Sequence, residues 1–153
     1  MDLILWRHAE AFEMREVSDD LERALTPKGE RQAQRMAAWL NRQLPSSTRV
    51  LVSPARRAQQ TAAALERKTK TVAGLAPEAS VETLLQAVRW PDAREPVLVV
   101  GHQPTLGLAA ARLLSGQVQP WTVRKAGVWW LRARDREGAL QVVLHAVMSP
   151  DLV

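Results

Sequence analysis

The sequence predicts an α/β protein, a three-layer α/β/α arrangement with a mainly parallel central sheet and a C-terminal antiparallel hairpin. Two observations carry this. Short β-type runs at Leu3–Trp6, Arg49–Val52 and Val97–Val100 are each followed by a polar break and then by residues of helical spacing. Such βα alternation favours parallel strands with helices on both faces. The last two extended runs flank Asp135-Arg136-Glu137-Gly138, a turn-forming loop that makes them a hairpin.

Leu3–Trp6 is an unbroken apolar run of the length of a buried strand, and it ends abruptly in Arg7-His8. Residues 11–25 are polar and acidic and read as a loop with at most a short helical turn. Thr26-Pro27 reads as a helix start, with Thr as N-cap and Pro in the first turn. Ala33, Met36, Ala37, Leu40 and Leu44 then form one apolar stripe, which stops before Pro45. After the second strand, Ser53-Pro54 opens a helix that buries Ala58, Thr61, Ala62 and Leu65. Residues 69–80 are irregular, with a short strand around Thr71-Val72. Val81–Val88 reads as a helix, Trp90–Pro96 as a loop, and Val97–Val100 as the most hydrophobic strand. Leu106–Leu114 is a helix closed by Ser115-Gly116. Val128–Ala133 and Leu140–Val147 are the arms of the hairpin, and Trp129 and Trp130 face opposite sides of theirs.

The 153 residues predict one domain spanning 1–153, and 46% hydrophobic with 24% charged residues is a globular mixture. There is no cysteine, which excludes disulfides and thiolate metal sites. No apolar run reaches membrane-spanning length, so a soluble cytoplasmic monomer without membrane contact is expected. The net charge of +5 favours anionic partners. It is spread along the chain rather than interleaved with aromatics, which argues against nucleic-acid binding.

In a parallel sheet, ligands bind beyond the carboxyl ends of the strands. Arg7 and His8, then Arg56 and Arg57, then His102 follow three successive strand ends, so the fold brings them to one edge. Two guanidiniums and two imidazoles make an anion site, because the arginine fork matches phosphate oxygens. Two arginines at a helix start oppose the helix dipole, which calls for an anion that offsets them. No phosphate-cradling glycine loop, dinucleotide fingerprint or metal-ligand spacing is present, so neither cofactor nor metal is expected. A neutral histidine can attack phosphorus, and neighbouring arginines favour the neutral form.

The same residues resemble a known family. Leu5-Trp6-Arg7-His8-Ala9 is similar to the Arg-His-Gly/Ala motif of the histidine phosphatase superfamily, the phosphoglycerate mutase-like proteins. Ser53-Pro54-Ala55-Arg56-Arg57-Ala58-Gln59-Gln60-Thr61 resembles that family's Ser-x-x-x-Arg-Ala-x-x-Thr segment, and Val99-Val100-Gly101-His102 its second-histidine strand. Small size, Arg23 in an Asp-rich loop, Leu25-Thr26-Pro27-Lys28-Gly29 and Met148-Ser149-Pro150 are similar to the SixA-type phosphohistidine phosphatase branch. The resemblance implies that His8 accepts the phosphoryl group and that Arg7, Arg57 (rather than Arg56) and His102 bind its oxygens. It further implies a phosphohistidine-bearing signalling or carrier protein as substrate.

Two departures matter. Ala9 stands where many members have glycine. No residue matches the family's general-acid glutamate, and Glu78, Glu82 and Glu10 stay open for that role, with Arg23 as a further substrate contact. An alkoxide, with a conjugate acid of pKa ~15, needs a positioned proton donor to leave, whereas imidazole, at ~6.5, leaves far more readily. A missing acid therefore suits phosphohistidine better than a sugar phosphate. Only residues 68–95 separate the second and third motifs, which leaves little material for a lid and predicts an open site. A metabolite phosphomonoesterase and a non-catalytic phosphate-binding module are the competing readings.

Overall fold

The structure, a computed structural model, describes residues 1–14 and 19–153. The part of the 11–25 loop at 15–18 lies outside the described residues. Six strands form one sheet: β1 Asp2–Arg7, β2 Arg49–Val52, β3 Lys70–Thr71, β4 Val97–Gly101, β5 Val128–Arg136 and β6 Ala139–Met148. Their order is β3-β2-β4-β1-β5-β6, with β3, β2, β4 and β1 parallel and β5 and β6 antiparallel. The predicted class stands, and the parallel strands are joined by α1 Pro27–Gln43, α2 Arg56–Ala63 and α3 Val81–Ala87. Helix α4, Thr105–Ser115, leads from β4 to the hairpin.

Alternation along β1 divides the core. Ile4 and Trp6 face α1 and α2, where they meet Met36, Leu40, Ala58 and Ala62. Leu3 and Leu5 face the other way, onto Leu84 of α3 and Leu106, Ala109 and Ala110 of α4. All four β1 side chains are fully buried, as is every residue of β4 beside it. The two central strands are thus covered on both faces, which is why they read as continuous apolar runs. Trp129 and Trp130 do split between the faces, Trp130 into the α1–α2 layer and Trp129 against Trp121 on the other.

Helix α1 begins as expected, with the Thr26 hydroxyl accepting from the Gly29 N–H at 3.0 Å. Gly29 is required because a Cβ there would lie 2.0 Å from the Glu10 carbonyl oxygen. Gly107 plays the same part in α4, against the Trp121 carbonyl. Both glycines let a helix lie directly on the backbone of a loop that leads to or from the site.

Two elements differ from the sequence-based expectation. Helix α2 starts at Arg56 with Ala55 as N-cap, not at Ser53-Pro54. Ser53 turns inward, where its hydroxyl accepts from the Ala55 N–H at 3.1 Å. The hairpin is longer than predicted because Glu137 and Gly138 both take positive φ, 55° and 82°. That two-residue turn leaves Asp135 and Arg136 in the ladder. Among the described residues, no helix is long and apolar enough to cross a membrane.

Candidate active site

Arg7 and His8 leave β1 between β4 and the 122–127 loop. The His8 N–H donates to the Gly101 carbonyl at 3.1 Å, and the His8 carbonyl accepts from Ala126 N–H at 3.1 Å. Ala9 N–H donates to the Thr61 hydroxyl at 3.0 Å, and that hydroxyl donates to the Arg57 carbonyl at 2.8 Å. The backbone at His8 is therefore held by β4, by the loop and by α2. This is the structural work of the Arg-Ala-x-x-Thr segment: one turn of α2 presents both Arg57 and the hydroxyl that holds Ala9.

His8 Nδ1 lies 2.7 Å from the Ala9 carbonyl oxygen. A carbonyl only accepts, so Nδ1 carries the proton and Nε2 holds a lone pair. Burial first, and then the charges of Arg57, Arg7 and Arg23, hold the His8 pKa down to about 4, against the Ala9 bond that raises it. The ring is neutral at pH 7. The His102 ring centroid lies 5.1 Å from that of His8. His102 Nε2 pairs with the Ser53 hydroxyl at 2.7 Å, and Nδ1 is buried with no hydrogen-bond partner. Burial, followed by the charges of His8 and Arg57, pushes its pKa down to about 3.

Arg56 and Arg57 part company: Arg56 is exposed, while Arg57 is 3% exposed. The anion that offsets Arg57 belongs to the chain. Arg57 donates to the Asp20 carbonyl at 2.8 Å and to its carboxylate at 3.1 Å, and Arg23 donates to the same carboxylate at 2.9 Å. Arg7 donates to the Val123 carbonyl at 3.0 Å. The Nε atoms of Arg7 and Arg57 are buried without partners. Desolvation lowers the pKa of both groups, but a guanidinium stays charged. A pocket of about 220 Å³ joins Arg7, His8, Arg23, Arg57 and His102.

The carboxylates named from the sequence lie elsewhere. Glu10 accepts from the Thr26 hydroxyl at 2.8 Å and so supports the α1 cap. Glu82 is paired with Arg112 between α3 and α4. Glu78 is exposed beside Pro77. None of the three lines the pocket, whereas Glu13 does. The sequence reading missed Asp20, Ser53, Thr61 and Glu13. Asp20 had a signal, its position three residues before Arg23, and Ser53 and Thr61 are fixed positions of the resembled motif. Among the described residues, no three His, Cys, Asp or Glu cluster as metal ligands.

A neutral histidine with one free nitrogen, set among guanidiniums at a sheet edge of a phosphoglycerate mutase-like fold, is an arrangement whose chemistry suits phosphoryl transfer. The chain belongs to the histidine phosphatase superfamily, branch 1, whose family model matches residues 3–79, and within it to the SixA-type branch. It is a phosphatase with a histidine nucleophile. It is 34% identical over 155 residues to an uncharacterized protein of Picosynechococcus, covering 95% of this chain and 90% of that one. It is 33% identical to the phosphohistidine phosphatase SixA of Escherichia coli over 132 residues, 78% of each chain. A solved structure of the protein histidine phosphatase SixA complexed with tungstate superposes with a TM-score of 0.78, at 27% identity over 99% of each chain.

Proposed function

We propose that the chain hydrolyses phosphohistidine on a protein, with His8 as the nucleophile. The observation that carries this is the tautomer of His8, whose protonated Nδ1 leaves a lone pair on Nε2 in a pocket lined by three guanidiniums, those of Arg7, Arg23 and Arg57. Nε2 attacks phosphorus as the P–N bond of the substrate breaks. The departing ring leaves as neutral imidazole: its other nitrogen carries a proton taken from solvent, and the leaving nitrogen keeps the electron pair of the broken P–N bond. Arg7 and Arg57 neutralise the phosphoryl oxygens in transit, and His102 offers its unpartnered Nδ1 as a further donor. Water then attacks phospho-His8, releasing inorganic phosphate and the free ring.

The similarity to SixA proteins supports a protein-borne substrate, and among the described residues no acid beyond Glu13 lines the pocket. The test uses a ³²P-histidine-phosphorylated carrier protein beside p-nitrophenyl phosphate, with wild type and His8→Ala. Rapid loss from the carrier and label trapped on the wild type alone is the expected result. Turnover of the small ester with an untouched carrier would instead assign a metabolite phosphomonoesterase. Equal behaviour of wild type and variant on both substrates would leave only phosphate binding.

A further inference from the structure

Beside the catalytic pocket runs a second, larger groove of about 670 Å³. The two adjoin, with Arg7 and Lys125 lining both. One wall is α1, which presents Lys28, Arg31 and Arg35. Their spacing of three and four residues places them on one helical face, over a stripe ~10 Å long. The other wall carries Arg124 and Lys125 from the loop that holds His8. Against these cations the groove sets one carboxylate, Asp151, 3.7 Å from Arg124 and as exposed as its partner. Among the described residues, Lys28, Arg31, Arg35 and Lys125 form no ion pair. Away from the groove, the catalytic pocket is lined by Ala11, Glu13, Pro77 and Gln103, and its cations there, Arg23 and Arg57, are both paired with Asp20.

We propose that this groove is a docking site for an acidic segment lying beside the phosphorylated histidine of a protein substrate. The inference rests on the phosphohistidine reading of the site and adds the chemistry of the flanking surface. Its warrant is charge complementarity: an array of exposed cations, four of them without an ion pair among the described residues, beside the reaction pocket steers an anionic partner and sets its orientation. The acidic side of the substrate lies toward α1, and its neutral side toward Pro77. Nucleic acid is the less suitable occupant, because no aromatic side chain among the described residues lines the groove to stack a base.

The experiment compares two phosphohistidine peptides that differ only in flanking residues, Asp/Glu-rich in one and Ser/Gln-rich in the other, together with free phosphohistidine. The enzymes are the wild type, the triple variant Lys28→Glu/Arg31→Glu/Arg35→Glu and its Gln counterpart, each checked for an unchanged melting temperature. The wild type should favour the acidic peptide by about tenfold in kcat/KM at low salt, through KM, because several exposed charges act together. That preference should vanish at 0.5 M NaCl and in the Gln variant, reverse in the Glu variant, and leave free phosphohistidine turnover unchanged. Equal turnover of both peptides by the wild type would overturn the groove proposal alone. Failure to hydrolyse any phosphohistidine compound would overturn the underlying reading as well. Competition by an oligonucleotide, without discrimination between peptides, would assign the groove to nucleic acid and overturn the proposal.

Discussion

At the residue scale the site depends on small groups that hold two imidazoles. Ser53 is fully buried and touches His102 at Nε2. Ser53→Ala leaves that nitrogen buried and unpaired, so kcat should fall by about tenfold while KM changes little. Steady-state kinetics on a phosphohistidine substrate, with circular dichroism for the fold, check this. Arg57→Lys removes the fork that grips Asp20 through two nitrogens, and turnover should fall by about a hundredfold. The histidines also make stability depend on pH. Their folded pKa values, about 4 and about 3, lie below the unfolded value of ~6.5, so the unfolded chain binds more protons between these limits. Stability should therefore be full above pH ~6.5 and decline as the pH falls, by up to ~1.4 kcal/mol per pH unit for each ring. Urea titrations from pH 7.5 to 5 in phosphate-free buffer measure the slope, and His102→Ala should remove about half of it.

At the element scale, α1 is seated by contact between backbones. A Cβ at position 29 would lie 2.0 Å from the Glu10 carbonyl oxygen, so Gly29→Ala must displace the helix start or the loop after His8. A loss of about 2–3 kcal/mol is expected, of the size found for overpacking, and activity should fall with it. Thr26→Ala, which removes the cap and the hydroxyl bonded to Glu10 but adds no clash, should cost about 1 kcal/mol and leave the pocket residues in place. Denaturant midpoints for the two variants separate the mechanisms. The Thr-Pro-Lys-Gly stretch was legible as a helix start from propensity, but the reason for its glycine was not, since Glu10 is distant in sequence. Likewise α2 could be placed to within a turn, yet its first residue depended on Ser53 turning toward a histidine 49 positions away.

At the scale of the whole molecule, the sheet order places β1 beside β4, so His8 and His102 leave neighbouring strands and meet. Opposed to them is the α2 start, and the pocket between holds buried guanidinium nitrogens without partners. An oxyanion that fills it binds only the folded state, so inorganic phosphate should raise the melting temperature, by ~2.7 kcal/mol of stability at a hundred times its Kd. Arg57→Ala should abolish the increment, and differential scanning fluorimetry across a phosphate series reads it directly.

The sequence by itself determined the class of fold and most of its elements. Apolar period, capping residues and turn chemistry act over a few neighbouring positions, and each strand end announced its Arg or His. Arg7, His8, Arg57 and His102 were legible for that reason. What only the tertiary structure decided was which groups surround them. The placement of Asp20 on Arg57, Ser53 on His102, Thr61 on Ala9, and Glu10 on a helix cap rather than in the pocket follows from long-range contacts. An isolated Glu or Asp carries no sign of its partner in local sequence. The cationic groove belongs to the same category, because its walls come from α1 and from a loop almost a hundred residues later. Charge that looks evenly spread along the chain becomes one face only when the chain is folded.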